Sequence, residues 1–150
     1  MRIVIQRVSR ASVAVDGEVL GAVGTGFAVL VGVAVGDTPD DAGWLAAKTA
    51  SLRVFDDENG VMNRSLADVD GRVLAVSQFT LHASTRKGNR PSYIHAMPGN
   101  DAQPLYEAYC AEVERLTGHP VARGRFGAHM EVALVNDGPV TIIIDSRLKE

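Results

Sequence analysis

One cysteine, Cys110, is all that 150 residues carry, so the chain can form neither an intramolecular disulfide nor a multi-thiolate zinc site, a composition suited to a reducing cytosol. The four histidines, His82, His95, His119 and His129, show no close metal-ligand spacing, and no metal or other cofactor is implied. A surplus of positive charge is missing as well. Fifteen Lys plus Arg stand against 18 Asp plus Glu, a formal charge of −3, so any contact with RNA has to be local. There is no glycine-rich nucleotide loop between a strand and a helix, no internal repeat, no low-complexity tract and no linker. A single domain over residues 1–150 is expected, and a chain of this length buries about two thirds of its unfolded surface.

The opening "MRIVIQRV" alternates almost at once and leaves no room for a charged leader, an apolar stretch and a cleavage site, which reads as a mature cytoplasmic protein. Residues 19–36, "VLGAVGTGFAVLVGVAVG", are uncharged over 18 positions, the lower limit for a membrane-spanning helix. Five glycines, abundant valine and a central Gly-Thr-Gly break argue instead for two strands and a turn, with no membrane partner.

The first quarter of the chain reads as strands joined at Asp16-Gly17 and Thr25-Gly26. A helix then opens with Thr38 as N-cap, Pro39 at its first position and Asp41 in its first turn; Ala42, Leu45, Ala46 and Thr49 form its inner face. "DDENG" at 56–60 is an acidic turn of the solvated kind. "RVLAVSQFTL" at 72–81 reads as a central strand, followed by a long loop and a second helix beginning near Asn100 or Asp101, with a stripe of Leu105, Ala108, Tyr109, Val113 and Leu116. The sum is α+β: one curled, barrel-like sheet with two main helices.

Polar groups collect at the end of that central strand. On a period of two, Ser77 and Phe79 share one face, and Gln78 and Thr80 the other, with His82 two positions on. Side chains at i and i+2 stand roughly 6.5 Å apart, too far for His82 to serve Thr80 directly as a base. The adjoining loop of 19 residues is longer than compact domains usually carry without a functional reason, and "TRKGNRPS" sets Arg86, Lys87 and Arg90 around a glycine as a phosphate-contacting arm or an ordinary solvated loop. Arg123 and Arg125 could extend such a patch. Cys110 lies beside the helix stripe as a packed residue, not a nucleophile. In "NDGPVT" at 136–141, Asp-Gly between two apolar runs is a strong hairpin signal. Its Gly-Pro bond can also be cis at a cost of only about 0.5–1 kcal/mol, and local pattern leaves both readings open.

"MRIVIQRVSRASV", "SQFTL" at 77–81, "KGNRPS" at 87–92 and "FGAHMEVALVNDGPVT" at 126–141, in this order and at this length, resemble the D-aminoacyl-tRNA deacylase family over essentially the whole chain. The resemblance implies a homodimer in which a cis Gly138-Pro139 step of one subunit enters the active site of the other. There its backbone carbonyls would reject an L side chain while admitting D-amino acids and glycine. It implies further that Ser77, Gln78, Phe79 and Thr80 position the ester and the terminal adenosine of the partner aminoacyl-tRNA, that Met130 lines the pocket, and that Arg7 orients the Gly-Pro motif. The ribose 2′-hydroxyl would assist the attack of water. Two other functions are compatible with the residues alone: a non-catalytic dimeric RNA-binding module, and a Thr80-dependent esterase of small molecules.

Overall fold

The computed structural model describes residues 1–149. Its frame is β1 (Arg2–Val15), β2 (Glu18–Val23), β3 (Gly26–Gly32), α1 (Pro39–Ser51), the short pair β4 (Phe55–Asp56) and β5 (Met62–Arg64), β6 (Arg72–Ser77), a 3₁₀ turn (Phe79–His82), α2 (Gly99–Thr117), β7 (Ala122–Arg123) and β8 (Glu131–Asp145). The main sheet runs β2-β1-β3-β6-β7, with β8 laid antiparallel along β1. β3, β6 and β7 run parallel to one another, and the sheet curls until β2 and β7 meet, nearly closing a barrel. Residues 19–36 are thus mostly strand, and no helix among the described residues is long and apolar enough to cross a membrane.

Alternation along the strands divides the core into two faces. Phe27, Val29, Val31, Val73 and Ala75 point outward to the helices, whereas Ala28, Leu74 and Val76 turn inward to join Val8, Ala11 and Val13. Strands apolar on both faces are what a sheet covered on each side requires. α1 seats Ala42, Leu45, Ala46 and Thr49 against the outer face, and its first turn is closed by Asp41, whose carboxylate accepts from the Thr38 backbone at 2.8 Å. α2 buries Leu105, Tyr109 and Val113 as expected, but also Ala102, Tyr106 and Cys110, while Leu116 at its last turn is exposed. Tyr109 and Thr49 join the helices through a 2.8 Å hydroxyl contact, and the Tyr106 hydroxyl donates to the Ala75 carbonyl at 2.9 Å. The central strand is therefore fixed to the helix that follows it.

Two sequence expectations fail locally. The strand expected through Leu81 ends at Ser77, and Phe79–His82 coil into a 3₁₀ turn. The cause is the crossing with β3. A Cβ on Gly32 would lie 2.9 Å from both the Gln78 carbonyl oxygen and the Leu81 Cβ, so only glycine lets the turn pack there. The Asp-Gly hairpin does not form either. β8 is one long strand whose two halves both pair with β1, and "DGPV" departs from the ladder between them.

Candidate active site

An open cleft of about 600 Å³ lies at the carboxyl ends of the parallel strands β3 and β6. Val31, Val76 and Met130 form apolar wall, Ser77, Gln78 and Phe79 stand where β6 stops, and Gly99 and Ala102 bring the start of α2 to its rim. Such a cleft, largely apolar with a few convergent polar groups, is the usual form of a small-ligand site. Four expected residues, Ser77, Gln78, Phe79 and Met130, are thereby brought together. Thr80 stands beside them with its hydroxyl accepting from the Gln78 amide at 2.5 Å.

Thr80 and His82 share the 3₁₀ turn, and no hydrogen bond joins their side chains. The His82 imidazole is buried, and its Nε2 has no partner among the described residues. Burial holds its pKa below the ordinary 6.5; Arg2 and the terminal amino group add to the depression, and a hydrogen bond with the Gly32 backbone and the Asp37 charge oppose it. His82 is a buried residue whose Nε2 makes no hydrogen bond to the Thr80 hydroxyl. Its depressed pKa has a consequence for stability. The unfolded chain takes up a proton at His82 that the folded chain resists, so stability present above pH 6.5 is lost as pH falls through the folded pKa. Urea midpoints should therefore decline from about pH 7 to about pH 5, and the decline should be shallower in His82→Leu. Equal slopes in the two proteins would remove this assignment.

The Gly-Pro step lies elsewhere on the protomer. In the β1–β8 ladder Gln6 faces Thr141 and Val8 faces Asn136, so residues 137–140 bulge out opposite Arg7 alone. Gly138 has φ +132°, a conformation that favours glycine, and the Gly138-Pro139 bond is cis. Both residues are exposed, and neither lines the cleft of its own chain. The base of this projecting loop is tightly bound. Arg7 Nε donates to the Asp137 carbonyl at 3.0 Å, while its Nη1 donates to the Val54 carbonyl at 2.6 Å and to Asp56 Oδ1 at 3.2 Å. Asn136 closes the loop by accepting from the Val140 backbone at 3.3 Å and donating to Gln6, which also accepts from the Thr141 hydroxyl at 2.6 Å.

Several of these residues were not singled out by sequence reasoning. Asp56, expected to be merely solvated, is an ion-pair partner of Arg7, and Gln6 and Asn136 were given no role. A usable signal existed for the first contact: Arg7 follows Ile3 and Ile5 on the buried face of β1, where an unpaired guanidinium could not remain. Arg86, Lys87 and Arg90 are exposed on the loop after the 3₁₀ turn, and no ion pair among the described residues involves them. Arg123 is instead committed to Glu107 and Glu114.

The fold, a nearly closed sheet backed by two helices, recurs in solved structures. A "c-Myc DNA Unwinding Element Binding Protein" is 40% identical with a TM-score of 0.90, over 97% of this chain and 98% of that one. A "probable eukaryotic D-amino acid tRNA deacylase" has a TM-score of 0.82 at 16% identity, over 95% and 97% of the two chains, and shows the same fold. The class is defined by the family that the sequence matches, a family of deacylase hydrolases. Sequence makes the assignment specific: the family model "D-Tyr-tRNA(Tyr) deacylase" matches residues 4–145. Proteins named D-aminoacyl-tRNA deacylase are 57% identical in Parabacteroides distasonis and 56% identical in Chromobacterium violaceum, each over 150 residues and the full length of both chains. The chain belongs to the D-Tyr-tRNA(Tyr) deacylase family.

Proposed function

We propose that this chain hydrolyses the ester of D-aminoacyl-tRNA, and of glycyl-tRNA, as a cytoplasmic homodimer that proofreads chirality in translation. The cleft formed by Ser77, Gln78, Phe79 and Met130, with Thr80 beside it, receives the terminal adenosine and its ester. Gly138 and Pro139 of the partner subunit enter that cleft and present backbone carbonyls to the amino acid. An L side chain meets those carbonyls and is excluded; a D side chain points away, and glycine has none to exclude. Arg86, Lys87 and Arg90 contact phosphates of the tRNA.

The observation that carries this reading is the projecting loop: braced by Arg7, exposed, and absent from the lining of its own cleft. It needs a cleft to enter, and a second copy supplies one. Val132, Leu134 and Val135, exposed on β8, supply apolar surface for such pairing.

The chemistry is assigned to the substrate's own 2′-hydroxyl, which assists water at the ester carbonyl while the bond to the 3′-oxygen breaks and that oxygen leaves with a proton. Gln78, donating to the Thr80 hydroxyl, is no base, and His82 is held away, which speaks against a Thr80-dependent esterase. The test uses one tRNA charged with the D or the L form of the same amino acid, or with glycine. D-aminoacyl and glycyl esters should be released at least about 10²-fold faster than the L ester. Equal release of both enantiomers contradicts the filter. Retarded RNA mobility without release of amino acid would favour the alternative of a non-catalytic dimeric RNA-binding module.

A further inference from the structure

Beside the cleft stands an aromatic surface that holding one adenosine does not require. Phe79 and Tyr93 both reach the lining of the cleft, yet they remain 56% and 40% exposed, and the adjacent Ile94 is 75% exposed. The two rings meet edge to face with centroids 5.0 Å apart. The backbone beneath them is held from both sides. Ser84 and Ser92 exchange hydrogen bonds at 2.8 and 2.9 Å, and Val35 and Met97 each donate at 3.0 Å across the junction with the end of β3, to the His95 and Val33 carbonyls. Tyr93 and Ile94 therefore sit on a pinned segment, while Arg86, Lys87 and Arg90 occupy the exposed turn that the Ser84–Ser92 pair closes.

Exposed aromatic faces and cations on one loop are what single-stranded RNA recognises, by stacking its bases and neutralising its phosphates. Resting on the deacylase reading of the same cleft, we infer that Tyr93 and Ile94, with Phe79 of the adenosine cleft braced edge to face against the Tyr93 ring, form a stacking platform for the unpaired nucleotide that precedes the terminal adenosine of the substrate RNA. Two features fix this occupant: Tyr93 reaches the lining of the cleft that takes the adenosine, and the exposed cations of the same loop match the charge of the connecting phosphates. The platform gives affinity without reading sequence, because every base offers a π face.

The test compares a D-amino acid esterified to adenosine alone with the same ester on a single-stranded RNA trinucleotide ending in adenosine. The wild-type protein should prefer the trinucleotide in kcat/KM by about tenfold. Tyr93→Phe should keep that preference, and Tyr93→Ala should lose most of it. Ile94→Ser should hydrolyse aminoacyl-adenosine at the wild-type rate while preferring the trinucleotide less. A wild-type protein without the preference, or a Tyr93→Ala protein that retains it, overturns the platform. So does a change of oligomeric state in Tyr93→Ala, which would show that a second copy covers this surface. If the wild-type protein hydrolyses neither ester, the deacylase reading fails. The platform would then still be supported by tighter binding of the uncharged trinucleotide than of adenosine monophosphate, lost in Tyr93→Ala.

Discussion

A D-aminoacyl-tRNA whose terminal adenosine lacks the 2′-hydroxyl, with the amino acid on the 3′-oxygen, should be nearly inert, slower than the normal substrate by roughly 10²- to 10⁴-fold in single turnover. The expectation rests on the state of Thr80, His82 and Cys110. Among the described residues, Thr80 is bonded to an amide donor, His82 is neutral and buried, and Cys110 is buried in α2 with its thiol pKa pushed up to about 11 by burial. None of these offers an activated nucleophile with a base in reach. Thr80→Ala and His82→Ala should each retain activity within about tenfold of wild type. A Thr80→Ala protein that binds substrate normally but loses more than roughly 10²-fold would return the chemistry to the side chain.

Gly138→Ala should abolish most D-aminoacyl-tRNA hydrolysis, by about 10²-fold or more in kcat/KM, while the fold persists. At φ +132° a side chain is strained, and an added Cβ would lie 2.9 Å from Val140 Cγ2, 3.0 Å from the Val140 nitrogen and 3.2 Å from Arg7 Nη2. The loop has to move, and its carbonyls move with it. Arg7→Lys should act in the same direction. Lysine keeps the charge, but a single ammonium cannot hold the Asp137 carbonyl, the Val54 carbonyl and Asp56 in the fixed geometry of a guanidinium. Unchanged turnover by Gly138→Ala would remove the loop from the site.

Much of this architecture was legible in the sequence because the signals were local. Thr38, Pro39 and Asp41 announce the start of α1, and the alternation of Ile3 with Ile5 and of Ala11 with Val13 describes β1. What could not be read depends on distant partners. Phe79 and Leu81 continue the alternation in sequence, but the strand ends at Ser77, and the turn that follows packs against Gly32 of β3, which leaves no room for a side chain. The Asp-Gly pair looks like a hairpin until β1, some 130 residues away, pairs on both sides of it and turns the same residues into a bulge. The site follows the same rule. Ser77, Gln78, Phe79 and Met130 line one cleft, whereas the bracing by Gln6, Asp56 and Asn136 appears only once the register of β1 against β8 is known.

Whether one subunit's loop serves the other's cleft is tested most directly by mixing two inactive proteins. Gly138→Ala disables the loop and leaves the cleft intact, while Ala96→Trp fills the cleft and leaves the loop intact. After co-refolding at equal concentration, about half the dimers are mixed, and each mixed dimer contains one site with a native cleft and a native loop if the two come from different subunits. The account predicts recovery of about a quarter of wild-type D-aminoacyl-tRNA hydrolysis. If loop and cleft belong to the same subunit, no native site can form in any dimer, and a mixture as inactive as its two components would contradict the account.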